Sequence, residues 1–187
     1  MWKPDDLKLR WPVVNADGEP LAALPVRAFT VEEHRAALER AGEDEHSQFE
    51  QLAVLATGHP LTVIESLKRP DFISLTKRIA EYVNLPASYF SGQKPADPDE
   101  FPLLVPIKGM GRTYDTLTLR VPSMGATKAM MKHKDELQRT DFISAHCTGL
   151  AVAELLRLSI PDWTQLQVRL NDFLNQPADY FQSATSK

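Results

Sequence analysis

The chain has 187 residues, 43% hydrophobic and 25% charged, with a formal net charge of −4 and one cysteine. That balance supports a buried core and excludes wholesale disorder, and a lone thiol excludes an internal disulfide or a multi-cysteine metal site. No apolar run approaches the ~18 residues of a membrane span, and Met1–Lys8 lacks the apolar stretch of a secretion signal, so a reducing cytoplasm is the expected location.

In chain order, Leu7–Val14 and Pro20–Ala28 read as two strands around Asn15-Ala16-Asp17-Gly18-Glu19, a segment with the Asn and Gly that tight hairpins favour. Pro12 and Pro25 are expected at strand ends or edges, because proline donates nothing to a ladder. Thr30-Val31-Glu32-Glu33 has the form of a capping box and predicts a helix to about Arg40, broken at Gly42–Glu45. A second helix through Phe49, Leu52, Ala53 and Leu55 stops at Gly58-His59-Pro60. Pro70 and Asp71 suit the first turn of a final helix whose Phe72, Leu75, Ile79, Tyr82 and Val83 share a face, and Pro86 ends it.

Ser91–Glu100, rich in proline, glycine and acid, marks a linker. A second hairpin follows, with Leu103–Lys108 and Arg112–Val121 around Gly109-Met110-Gly111; Pro102 and Pro106 are again assigned to strand ends or edges. A helix beginning near Ser123 carries Lys128, Lys132, His133 and Lys134, and the spacing of four places Lys128 and Lys132 on one face. Pro161, Asp162, Trp163, Leu166, Leu170, Phe173 and Leu174 repeat the pattern of the earlier final helix, closed by Pro177.

The repetition is a duplication. Thr57–Phe90 and Thr148–Phe181 align without a gap at an offset of 91, with 12 of 34 positions identical. Unrelated segments would share about two at ordinary residue frequencies. The chain is therefore expected to be α+β, mainly helical, a tandem duplication of a β-hairpin followed by three to four helices. The expected boundaries are 1–91 for the first unit, 92–101 for the linker and 102–187 for the second.

Nothing in the pattern carries catalysis. His34, His46, His59, His133 and His146 fall in no metal-binding spacing, and no catalytic, cofactor or metal residue is assigned. His146 and Cys147, as sequence neighbours, diverge on a helix and cannot act as base and nucleophile there; Cys147 is read as a small core residue. Gly109-Met110-Gly111 is too short for a phosphate loop. Thr140–Cys147, Thr148-Gly149-Leu150 and Ala151–Leu158 have the outline of helix, turn and helix, but the second helix offers a single Arg beside a Glu. Residues 1–91 carry 10 basic and 14 acidic side chains and residues 92–187 carry 11 of each, so neither half is a basic domain and nucleic acid is not the expected partner.

The strand and cap Tyr114–Ser123, then Cys147-Thr148-Gly149-Leu150, Leu155-Leu156-Arg157-Leu158 and Pro161-Asp162-Trp163 resemble the phage tail assembly chaperone family, including its Mu-like and P2-like members. The resemblance covers roughly 103–175 and reaches 7–90 through the repeat. There Val26–Thr30 keeps the Arg and the cap without the proline, and His59-Pro60 replaces the leucine of the turn. It implies a non-enzymatic assembly chaperone that acts in the host cytoplasm, is absent from the mature virion and binds the tape measure protein and tail tube subunits. A frameshifted extension would begin at Gln182–Lys187. The alternatives are a structural tail or baseplate part and a helix-turn-helix regulator. Candidate partner-binding residues are the corner aromatics Tyr89, Phe90, Tyr180 and Phe181, with Lys128 and Lys132 as a docking patch for an acidic protein or a solvated surface. The aromatics either face a client or staple the chain to its own core, and the staple is the favoured reading.

Overall fold

The structure, a computed structural model, describes residues 2–15, 17–109 and 111–182. Met110 of the second turn and the tail Ser183–Lys187, where the extension was expected, lie outside the described residues. A hairpin of β1 (Leu7–Val14) and β2 (Pro20–Leu24) is followed by α1 (Val31–Ala41), α2 (Glu45–Thr57), α3 (Leu61–Glu65), α4 (Arg69–Asn84) and α5 (Ala87–Ser91). A second hairpin, β3 (Glu100–Gly109) and β4 (Arg112–Thr118), precedes α6 (Met124–Met130), α7 (Glu136–Thr148), α8 (Val152–Leu155), α9 (Ile160–Asn175) and α10 (Ala178–Gln182). The expected α+β duplication is what the chain forms: two hairpins, each leading into helices.

The chain divides into two compact units, one comprising Met1–Leu85 and Arg157–Pro161, the other Pro86–Leu156 and Asp162–Lys187. In the first, β1 and β2 pair antiparallel, Leu7 opposite Leu24 and Val14 opposite Pro20, with a register shift between Lys8 and Val13. Thr30 caps α1, its hydroxyl accepting from the Glu33 N–H while the Glu33 side chain returns to the Thr30 N–H, the capping box read from sequence. Gly58 ends α2 in the left-handed conformation that its missing Cβ permits. Leu75, Ile79 and Tyr82 of α4 are buried with Leu24, Phe29 and Ile64, and the Tyr82 hydroxyl both accepts from the Phe29 N–H at 3.0 Å and donates to its carbonyl at 2.9 Å.

The second unit repeats much of this frame. β3 and β4 pair antiparallel with a register shift between Pro102 and Ile107. Ser123 caps α6, Asp135 caps α7 as Asp44 caps α2, and Gly149 is left-handed as Gly58 is. The Thr57 and Thr148 hydroxyls donate back to the Ala53 and Ser144 carbonyls at 2.8 and 2.7 Å. After each second strand the chain bonds to a helix end: the Arg27 N–H to the Ala56 carbonyl at 2.9 Å, the Arg120 N–H to the Cys147 carbonyl at 2.8 Å. These bonds occupy carbonyls that a helix C-terminus leaves without intrahelical partners. They also explain why β2 and β4 stop at Leu24 and Thr118, short of the expected Ala28 and Val121.

Pro12 and Pro106 lie inside β1 and β3, edge strands of two-stranded sheets, each within the stretch where the register shifts and no ladder N–H is required. Two expectations are corrected. Lys132 is not on a helix face with Lys128: α6 ends at Met130, and Lys132 sits in the turn that follows. Finally, the outlined second helix of a helix-turn-helix is a four-residue turn, α8, too short to lie along a DNA groove.

Candidate functional site

The register shift in each first strand leaves two N–H groups turned away from the partner strand, and one carboxylate answers both. Asp71, in the first turn of α4, accepts from the Arg10 N–H at 3.0 Å and the Trp11 N–H at 3.1 Å. Asp162, in the first turn of α9, accepts from the Leu104 N–H at 2.8 Å and the Val105 N–H at 3.3 Å. Asp162 is fully buried and Asp71 nearly so. From sequence these aspartates read only as favourable first-turn residues. Their second role joins residues about sixty positions apart, and no local signal announces it. The clasp fixes each hairpin to the N-terminal turn of a long helix, α4 in one case and α9 in the other.

A second identical pair, Arg78 and Arg169, ties the same helices to the segment before each hairpin. Arg78 donates from Nη1 to the Asp5 carbonyl. Arg169 donates from Nε to Asp99 Oδ1 at 2.5 Å, with Asp172 Oδ2 3.5 Å from Nη1. Burial works against the Arg169 charge, but the bonds and fields of Asp99 and Asp172 outweigh it and raise its pKa further.

The guanidinium also lies over two rings, 4.8 Å from the Phe173 centroid and 5.0 Å from that of Phe181. Together with Pro98, Gln165, Val168, Asp172 and Tyr180, Arg169 and Phe181 line an open groove of about 390 Å³ on the second unit. The corner aromatics therefore divide. Phe181 is half-buried, 5.8 Å from the Phe173 ring, in the manner of a staple. Tyr180 is 47% exposed with its hydroxyl 3.3 Å from Asp172 Oδ2. Tyr89 is 57% exposed and meets Phe90 edge-on at 5.1 Å. Phe181→Ala is expected to cost roughly 1–2 kcal/mol in urea denaturation, through lost ring and cation contacts, and Tyr180→Ala under about 0.5 kcal/mol. Equal losses would remove the distinction between stapling and solvent-facing ring.

Lys128 and Lys132 are both exposed, on α6 and just after it. Cys147 is fully buried, which pushes its thiol up to about 11 and keeps it uncharged at neutral pH. His146 stacks on Phe142 at 6.4 Å. Among the described residues no group of three or more His, Cys, Asp or Glu side chains could hold a metal ion, and no helix is long and apolar enough to cross a membrane.

No curated protein and no solved structure matches the chain. Residues 100–175, from β3 through α9, match the model of a family described as phage tail assembly chaperone proteins, E, or 41 or 14. Members of that family are assembly chaperones and not enzymes, and they work on tail proteins while the tail is being built. The matched span contains the bulged hairpin, the Asp162 clasp and, of the Arg169 cluster, Arg169, Asp172 and Phe173, while Asp99 and Phe181 lie outside it. Over residues 100–175 the chain is thus similar to the phage tail assembly chaperone family.

Proposed function

We propose that the protein binds the tape measure protein of a phage tail in the host cytoplasm, keeps it soluble during tail assembly, and hands it to tail tube subunits without entering the finished virion. The observation that carries this reading is the family match over residues 100–175. A long, apolar helical client needs repeated surfaces, not an active site. A duplicated frame presents two on one chain, and linked sites raise each other's effective concentration.

Co-expression with the tape measure protein of the same phage genome tests it. The client is expected to stay soluble and to co-elute with this chain, and to aggregate alone. A well-folded chain that leaves the client insoluble, with or without tube protein, overturns the reading. Recovery of the chain by mass spectrometry from purified particles would instead make it a structural tail part.

A further inference from the structure

The two copies differ at one edge. In the first unit the extended residues just before α1 are covered by the short segment Arg157–Pro161, which belongs to that unit. Thr30 and Ser159 form an antiparallel bridge. The Val31 N–H donates to the Leu158 carbonyl at 3.0 Å, and the Ile160 N–H donates to the Phe29 carbonyl at 3.3 Å. Val31 is left 2% exposed, and Leu158, Ser159 and Ile160 are buried with it.

In the second unit the equivalent stretch is Pro122-Ser123-Met124, as the shared caps Thr30 and Ser123 establish. Nothing covers it. Met124 is 70% exposed and Val121 66%. Among the described residues neither the Met124 N–H nor the Pro122 carbonyl has a hydrogen-bond partner, although their counterparts Val31 and Phe29 both do. The exposed side chains continue along α6 to its C-cap: Met124 and Lys128 on the helix and Met131 at the cap recur at spacings of four and three.

We propose that the Val121–Met124 edge of the second unit is a docking site for an extended segment of a partner protein, bound by strand addition as Leu158-Ser159-Ile160 is bound in the first unit. The occupant has an apolar residue, a small residue and an apolar residue in succession, flanked by acidic side chains. The first unit supplies the template for its core. The flanks follow from charge: Arg120, Lys128, Lys132 and Lys134 are exposed around the edge, while the nearby Asp135 carboxylate is committed to capping the Leu137 and Gln138 N–H groups. Main-chain bonds supply affinity, and Met124 and Met131, flexible and polarizable, conform to the two apolar side chains. The chain's own equivalent of the covering segment, Leu67-Lys68-Arg69, carries two cations and is the wrong charge for this edge.

The probe is a synthetic peptide, Glu-Asp-Leu-Ser-Ile-Pro-Glu-Asp, titrated into the full isotope-labelled chain and followed by its amide resonances. Shifts are expected at Val121, Ser123, Met124 and Lys128. N-methylation of the peptide's isoleucine, which removes the N–H meant for the Pro122 carbonyl, should weaken binding at least tenfold. Met124→Asp should do the same while leaving distant resonances in place, and Lys128→Glu should weaken it about threefold and flatten its salt dependence. The proposal is overturned by any of three results: no shifts at millimolar peptide, shifts centred on Thr30 and Val31, or shifts at Val121–Lys128 on dilution without peptide, which would make the edge a contact between copies of this chain. This site does not depend on which tail protein is the client. The peptide can fail to bind while co-expression still solubilises the tape measure protein, and the reverse.

Discussion

Asp162→Ala is expected to lower the stability of the second unit by roughly 3 kcal/mol, read as an earlier urea midpoint. Two backbone N–H groups, those of Leu104 and Val105, lose a charged acceptor at once. Hydrogen bonds to a charged group contribute about 1.5–3 kcal/mol each, and donors left buried without a partner carry a desolvation penalty as well. Partial entry of water returns some of that, which is why the expected figure sits near the lower end of the sum. Asp162→Asn keeps one acceptor oxygen and should lose about half as much. Asp71→Ala, removing the counterpart clasp on Arg10 and Trp11, should fall somewhat short of Asp162→Ala, because Asp71 is 5% exposed and water reaches it more readily. A loss below about 1 kcal/mol for Asp162→Ala would mean that the hairpin is held by its apolar face and not by the carboxylate.

The second large effect is expected at Gly109. Its φ is not in the left-handed region, so the requirement is one of space: a Cβ there would overlap the Glu154 carboxylate at Oε1 and crowd Cγ and Cδ. Glu154 cannot simply swing aside. It is buried, accepts from the Ala151 N–H through Oε2 at 2.9 Å, and lies 3.5 Å from the Tyr114 hydroxyl through Oε1. Gly109→Ala is therefore expected to cost about 2–4 kcal/mol, combining overpacking with a displaced buried carboxylate. The control is Glu154→Ala. On that background Gly109→Ala should cost less than about 1 kcal/mol, a coupling that a double-mutant cycle measures directly. Additive losses would show that the two positions do not meet.

Much of this frame is legible in the residues themselves. The capping box at Thr30–Glu33, the glycine stops at Gly58 and Gly149 and the proline-aspartate openings of α4 and α9 are local chemistry, and the helices begin and end where that chemistry places them. The unbroken alignment of Thr57–Phe90 with Thr148–Phe181 exposes the duplication for the same reason. What escaped is non-local. A carboxylate that accepts from strand N–H groups sixty residues earlier reads in sequence only as a good first-turn residue, and the bulge that frees those groups depends on pairing with a second strand. The placement of Lys132 failed for a different cause: basic residues at a spacing of four look helical, but α6 closes after seven residues. The candidate partner-binding aromatics at both corners are visible in the sequence, yet only the fold separates the packed Phe181 from the exposed Tyr180.

The bridge between Thr30 and Ser159 also sets a schedule for synthesis. A nascent chain emerges from the ribosome at about 5–20 residues per second, and domains otherwise fold in order from the N-terminus. Here the hairpin, α1 and α4 of the first unit can assemble early, but its last piece, Arg157–Pro161, is translated only after nearly the whole chain. For several seconds Phe29 and Val31 remain uncovered, and the first unit ripens at the same moment as the second. A truncation that stops translation before Arg157 should accordingly leave two immature halves, not one finished unit and one missing.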